Sequence, residues 1–410
     1  MAAQTAKPPI ERLPLWIILL ACATIAAIAM GIRQSMGLYL KPISSDLGLG
    51  RDAFSLAIGI ANIVWGLAAP FTGAVSDKYG TGRVVLFGAV ATFLGIMMLW
   101  AATSELHLMI SGVLLGFGVA GAGINAMVGA VARAAPPQER TAAIATLGIG
   151  SGIGMLVAIP YVHFLIELLT WQTSLIVIAA TIIAMLPLAW TISGAPAAPP
   201  AGTQKQELGA ALREAFRHPS FWLLNAGFFV CGFHVVFYAT HLPAYVSDLG
   251  LPAWVAVTGL SVVGIGNLVG TYLAGQWGRH YSKRYGLSFI YGMRALIFVG
   301  FLFLPITPIT IIIMSALLGL FWLSTIPLTS GLVSTFFGPT WMTMLYGIVF
   351  FSHQVGSFLG VYMAGLAFDL TQSYDAMWWI SAILGVFAML IHLPIREEPV
   401  ERLRIPAAAE

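Results

Sequence analysis

Charge is scarce in this 410-residue chain: 9% of its residues are Asp, Glu, Lys or Arg, against about 25% in a soluble domain. With 59% of residues hydrophobic, a water-soluble fold is excluded and a polytopic helical membrane protein is the default. Cysteine is nearly absent too. Cys22 and Cys231 both lie in apolar runs, so neither a disulfide framework nor a metal-ligand spacing is present. The net charge of +3 points to no nucleic-acid partner, and the cations read instead as topology signals. No nucleophile–base pair, phosphate loop or metal cluster is found, so an enzyme and a cofactor are not expected.

What is there is long apolar runs. Twelve of them reach the ~20 residues that cross a ~30 Å hydrocarbon core: 14–40, 53–75, 84–103, 108–132, 142–166, 171–193, 220–246, 253–276, 287–305, 309–337, 342–368 and 376–395. The stretch 1–13 carries Lys7 and Arg12 before the first run; that run is too long for the core of a signal peptide and reads as the first transmembrane helix. The long polar break at 194–219 begins Gly-Ala-Pro-Ala-Ala-Pro-Pro, a linker composition. Within it Leu208, Leu212 and Phe216 share one helical face, as in a short helix lying on a membrane surface. The expected organisation is an all-α membrane protein: a six-helix half over 1–193, a cytoplasmic linker over 194–219 and a second six-helix half over 220–410.

The two halves carry a duplication. Ser45-Asp46-Leu47-Gly48-Leu49 returns 202 residues on as Ser247-Asp248-Leu249-Gly250-Leu251. The register persists, with Gly73 falling on Gly275 and Tyr79 on Tyr281. Paired sets of spans with a site between them are a usual build for secondary transporters. Placing the N-terminus in the cytoplasm puts 15 of the 19 cations on that side, leaves Lys41 and Arg51 outside and keeps Arg33 and Arg294 within spans. That asymmetry predicts a multi-pass protein of the cell's inner (plasma) membrane with both termini cytoplasmic.

After the second span comes Gly73-Ala-Val-Ser-Asp77-Lys78-Tyr-Gly80-Thr-Gly82-Arg83. Glycine permits close helix approach, and Asp77 can cap a helix end and pair with cations as that side closes. This turn resembles the Gly-x-x-x-Asp-Arg-x-Gly-x-Arg loop of the major facilitator superfamily, with Lys78 in place of Arg. In the second copy Arg279 and His280 stand where Asp-Arg would be, leaving one acidic latch. Within the superfamily, Gly31-Ile-Arg33-Gln-Ser-Met-Gly-Leu-Tyr-Leu-Lys-Pro-Ile43, Tyr291-Gly-Met-Arg294-Ala, Ile326-Pro327-Leu328-Thr-Ser-Gly331 and Ser352-His353-Gln354 resemble bacterial members of the monocarboxylate transporter-like and oxalate:formate exchanger-like branch. The resemblance implies movement of small organic anions, with protons or by exchange. The chain departs in two places. The eighth span reads Gly266-Asn267-Leu-Val-Gly270-Thr271-Tyr272, with no cation where the branch's best-known members carry a substrate-binding Arg, and the acidic-aromatic signature of the animal carriers is missing from the first span.

Arg33 lies well inside the first span. An intramembrane arginine costs at least ~2.5 kcal/mol and normally faces a cavity or a partner. Its fork suits a carboxylate; the alternative is that it snorkels or holds backbone carbonyls. Arg294, in a span expected outside the cavity, is read as a structural brace acting through carbonyls or Tyr291. His234, Tyr238 and His241 form a polar stripe along the seventh span, and the 202-residue offset places Val235 on Arg33, so His234 and Arg33 are expected to face one cavity. Asn62 and Trp65 in the second span, Asn125 in the fourth, Trp322 in the tenth and His353 and Gln354 in the eleventh complete the candidate lining. Gly73, Asp77, Lys78, Gly80 and Arg83 are the candidate gate. Gly150-Ser-Gly152-Ile-Gly154 is echoed by Gly356-Ser-Phe-Leu-Gly360, small residues that allow helices to approach and slide.

The expected function is secondary transport of a small, monocarboxylate-like organic anion by alternating access across the bilayer. A drug or metabolite efflux antiporter and a non-transporting membrane sensor are the alternatives. Against efflux, no arginine stands near Gly112, and Pro160 follows Ile159 rather than glycine. None of the 16 acidic residues falls near mid-span; Glu167 and Asp248 lie at span ends. Transport is therefore expected to be uncoupled or by anion exchange, or else coupled to protons through a histidine, whose unperturbed pKa is near ~6.5: His234, His241 or His353, with His234 the first candidate.

Overall fold

The computed structural model describes residues 13–136, 140–193, 207–338 and 341–403. No strand occurs among them, since in lipid a helix satisfies its own backbone groups. Among the described residues, twelve helices are long and apolar enough to cross a membrane. They are α1 (Leu15–Leu47), α2 (Arg51–Ser76), α3 (Thr81–Trp100), α4 (Glu105–Val128), α5 (Thr146–Leu168), α6 (Trp171–Thr191), α7 (Pro219–Asp248), α8 (Ala253–His280), α9 (Lys283–Phe303), α10 (Pro308–Phe337), α11 (Met344–Thr371) and α12 (Asp375–His392). The amphipathic segment at Leu208–Arg217 is helical. It turns Ala211 and Ala215 inward and leaves Leu208 and Phe216 exposed, as an interfacial helix does.

One cluster of buried apolar side chains draws almost wholly on α1–α6 and the other on α7–α12. The duplication extends to individual contacts. Gly154 sits on the backbone of Ala27, and 202 residues on Gly356 sits on that of Phe229. Gly31 meets Ala158, and in the same register Phe233 meets Gly360. A side chain at either helical glycine would collide with its neighbour, so these small residues fix α5 against α1 and α11 against α7. Gly152 points instead to Leu268 of the other half. Most of the glycine run therefore packs one half internally, and one residue serves the boundary.

Two mated helices are broken at matching depth. In α4 a helix ends at Ala122 and the next begins at Ile124; in α10 one ends at Leu320 and the next begins at Thr325. A break strands carbonyls and amides in a medium that cannot hydrate them. In α10 the side chains of Arg294 and Asn267 supply the partners. Arg294 donates from Nε to the Phe321 carbonyl at 3.0 Å and from Nη2 to the carbonyls of Phe321 and Trp322, while the Leu323 amide donates to Asn267 Oδ1 at 3.1 Å.

The halves meet unevenly along their boundary. Toward the end bearing Arg51, Gly37 abuts the backbone of Ala239 and Thr240, Gly59 meets Phe358 and Gly66 meets Gln354. Gly59, Gly66 and Gly73 are spaced by sevens and share a face of α2. At Gly73, toward the end bearing Lys78, nothing among the described residues lies within 4 Å of where a Cβ would be, and the same holds at Gly148 and Gly275. Among the described residues, the boundary is packed at the Arg51 end and open at these three glycines toward the Lys78 end. The close approach expected at Gly73 is not made in this conformation.

Candidate functional site

The closed end is sealed by polar contacts between halves. Arg51 donates to both carboxylate oxygens of Asp248, at 2.6 and 2.8 Å, and to the Tyr374 hydroxyl at 2.9 Å. Lys41 joins the same carboxylate at 3.1 Å and Ser247 at 2.8 Å. Asp369, at the far end of α11, accepts the backbone amides of Arg51 and Asp52 at 3.1 and 2.8 Å. It thus caps the positive N-terminus of α2 from the opposite half. His241 lies under this network, with Nδ1 at 3.0 Å from the Tyr374 hydroxyl and Nε2 at 3.0 Å from the Val361 carbonyl and 3.3 Å from Ser55 Oγ. Nothing in the sequence pairs these residues; their shared place at span ends was the available signal.

Below the seal lies a cavity of ≈ 40 Å³ to which both halves contribute. Arg33 is its cation. Its Nη1 donates to Gln34 Oε1 at 2.7 Å and its Nη2 to Asn62 Oδ1 at 2.8 Å, and its guanidinium stacks 4.9 Å from the Trp65 ring centroid. Asn62 is oriented for this by donating Nδ2 to the Ile58 carbonyl at 2.8 Å, four residues back in α2. All the described partners of Arg33 are neutral: two amide oxygens and an aromatic face. A buried charge is normally matched, and a carboxylate makes a stronger, bidentate partner for a guanidinium fork than neutral amide oxygens do. The second half contributes Val236, Ala239 and Thr240 to this cavity.

That last trio corrects an expectation. His234 does not face Arg33. Its Nε2 lies 2.9 Å from the Ser381 carbonyl and its ring 4.6 Å from that of Phe298, inside the second half. Tyr238 bonds Ser315 at 2.6 Å and packs edge-on to Trp322, whose buried ring belongs to the same core. The polar stripe of α7 therefore turns inward, each member finding a partner among α9–α12, and the apolar face of α7 lines the cavity. A polar stripe in a membrane helix marks the face that needs hydrogen bonds, and helices supply those as well as water does.

Other candidates divide by location. Gln354 packs on Gly66 across the boundary. His353 stacks on Phe350 at 5.8 Å, and Phe350 meets Trp65 edge-on at 5.1 Å, so an aromatic path joins α11 to the ring that holds Arg33. Arg294 is wholly buried, 5.3 Å from the Tyr291 ring and remote from the lining. In the turn after α2, Gly80 adopts φ 96°, a conformation that favours glycine. Lys78 lies against Tyr79 and Arg83 is exposed. The side chains of Asp77 and Asn125 lie outside the described residues.

Comparison with known proteins agrees with this architecture. Residues 19–361 match the model of the Major Facilitator Superfamily. The chain is 25% identical over 399 residues to monocarboxylate transporter 11 of Mus musculus, covering 92% of this chain and 86% of that one. It is 22% identical over 410 residues to the oxalate:formate antiporter of Oxalobacter formigenes, covering 95% and 94%. Among solved structures it resembles a D-xylose–proton symporter with a TM-score of 0.70 at 15% identity, covering 93% and 97% of the two chains. An inward-facing, unoccupied bacterial homologue of the human lysosomal transporter Spinster gives 0.69 at 15% identity, covering 92% and 95%. Twelve spans, two matched halves and a family match over most of the chain lead to one conclusion: this protein belongs to the Major Facilitator Superfamily.

Proposed function

We propose that the protein carries small organic anions of the monocarboxylate class across the membrane by alternating access, with Arg33 as the carboxylate ligand. The observation that carries this reading is a guanidinium set between the halves with only neutral partners. Asn62 and Gln34 hold the fork in place, Trp65 covers one face, and a substrate carboxylate takes the place of the amide oxygens. The names of the similar carriers support the anion class. The cation asymmetry of the sequence supports a cytoplasmic Lys78 end and cytoplasmic termini, and in this reading the end left open at Gly73 faces inward.

With no carboxylate near mid-span in the sequence, three modes stay open: uncoupled transport, anion exchange and proton symport through a histidine. Uptake of labelled pyruvate, lactate, formate and oxalate into proteoliposomes tests the function, with an imposed pH gradient and with unlabelled anion inside as separate arms. Uptake of at least one anion above protein-free liposomes, lost in Arg33→Gln, is expected. Accumulation driven by the pH gradient identifies symport, and acceleration only by internal anion identifies exchange. No uptake of any of the four by correctly inserted protein overturns the reading.

A further inference from the structure

A second cavity, ≈ 350 Å³ in volume, lies on the Arg51-end side of the seal and is walled by both halves: α1 and α5 on one side, the end of α7 and the start of α8 on the other. Its size falls within the range of about 300–1,000 Å³ usual for small-molecule pockets, while the ≈ 40 Å³ beside Arg33 has little room for a substrate in this conformation. Its described cation is Lys41. The Lys41 ammonium carries three donors; Ser247 and Asp248 take two, and the side chain stays 41% exposed. The walls beside it are apolar, formed by Leu38, Ile166 and Pro243. Glu167 lies on the same lining, 3.3 Å from His163.

We infer that this vestibule is an entry site for small monocarboxylates with a short apolar tail. The carboxylate takes the third Lys41 donor and the tail lies along Leu38, Ile166 and Pro243. Asp248 on Lys41 and Glu167 on the lining add negative charge, so a second carboxylate on the ligand meets repulsion and dianions are disfavoured. The inference rests on the transport reading for its purpose: a ligand held here is next in line for Arg33 when the halves part at this end.

The test uses full-length protein in nanodiscs with Ser45→Cys, a position on the vestibule lining. Cys22 and Cys231 are both 0% exposed, so the introduced thiol is the reactive one. The readout is its rate of maleimide modification with butyrate, pyruvate or oxalate present. At about four times its Kd, butyrate or pyruvate should slow the reaction about fivefold, and oxalate at the same concentration should slow it less. Lys41→Gln should abolish the protection, and Glu167→Gln should raise the protection by oxalate. Protection should persist in Arg33→Gln. Absence of protection by either monocarboxylate overturns the inference, as does protection that survives Lys41→Gln. Protection lost in Arg33→Gln but kept in Lys41→Gln places the ligand at the central site and leaves the transport reading intact. Protection without uptake in proteoliposomes leaves the vestibule standing and removes its transport role.

Discussion

Each half of the protein holds one arginine deep within a membrane span, Arg33 in α1 and Arg294 in α9, and the two live differently. Arg294 is spent on backbone: the carbonyls of Phe321 and Trp322 at the break in α10 take its Nε and Nη2 donors. Arg33 is held by side-chain amides and an indole ring, in a cavity lined by both halves. A carbonyl stranded at a helix break has nowhere else to turn, so the guanidinium that satisfies it is fixed. An amide oxygen can rotate away, so the guanidinium it holds remains exchangeable. The same residue type serves as a brace in one half and as a ligand in the other, and the partner's freedom decides which.

Exchanging their losses is the sharpest way to break this contrast. Arg294→Met leaves the Phe321 and Trp322 carbonyls buried without donors, which should cost about 3 kcal/mol or more. A melting temperature several degrees below wild type in detergent is expected, with poor yield; a wild-type melting curve would show that α10 needs no brace. Arg33→Lys should melt as wild type does, because its amide partners can relax. Its defect should be in binding, with affinity for the transported anion reduced about tenfold or more, since a point charge does not reproduce the planar fork. Titration calorimetry on the purified variant measures it, and unchanged affinity would return Arg33 to a structural role.

The seal extends the comparison to the two ends of the molecule. Asp248→Asn removes the charge shared by Arg51 and Lys41, whereas Asp369→Asn weakens only the cap on α2. Spin labels placed across the Arg51 end should report a larger open population in both variants. The shift should be about tenfold for the first, from charge-assisted hydrogen bonds, and about two- to fivefold for the second, from a charge at a helix terminus. Equal distance distributions in wild type and Asp248→Asn would mean that packing alone closes this end. The smallest effect is expected at His234. Glutamine can still donate to the Ser381 carbonyl, so His234→Gln should leave the response of uptake to a pH gradient unchanged; loss of that response would bring the histidine back into coupling despite its distance from the Arg33 lining.

Much of this was legible in residue order. The twelve spans follow from hydropathy, which acts on each helix by itself, and all twelve appear where the apolar runs lie. The duplication was legible too, because a shared register of 202 residues forces equivalent contacts such as Gly154 with Ala27 and Gly356 with Phe229. The pairing of Arg33 with Asn62 sits at the limit: both stood out as polar groups in apolar runs, but nothing local says that they touch. The break in α10 was missed because Phe321–Ser324 is apolar enough to continue a helix, and its carbonyls are satisfied by an arginine 27 residues away.

Composition and order thus determined that the chain enters a membrane and how many times it crosses, which depend on the free energy of each segment in lipid, and that one half repeats the other, which the shared register along the chain records. The facing of α7 was decided only by the tertiary structure. His234, Tyr238 and His241 needed hydrogen bonds, and whether water or Ser381, Ser315 and Tyr374 would supply them depended on helices as far as 147 residues away. The same holds for Asp248 and Asp369. As span-end carboxylates they were unremarkable in the sequence, and they close the molecule only because the opposite half brings Arg51, Lys41 and the first turn of α2 within hydrogen-bond reach.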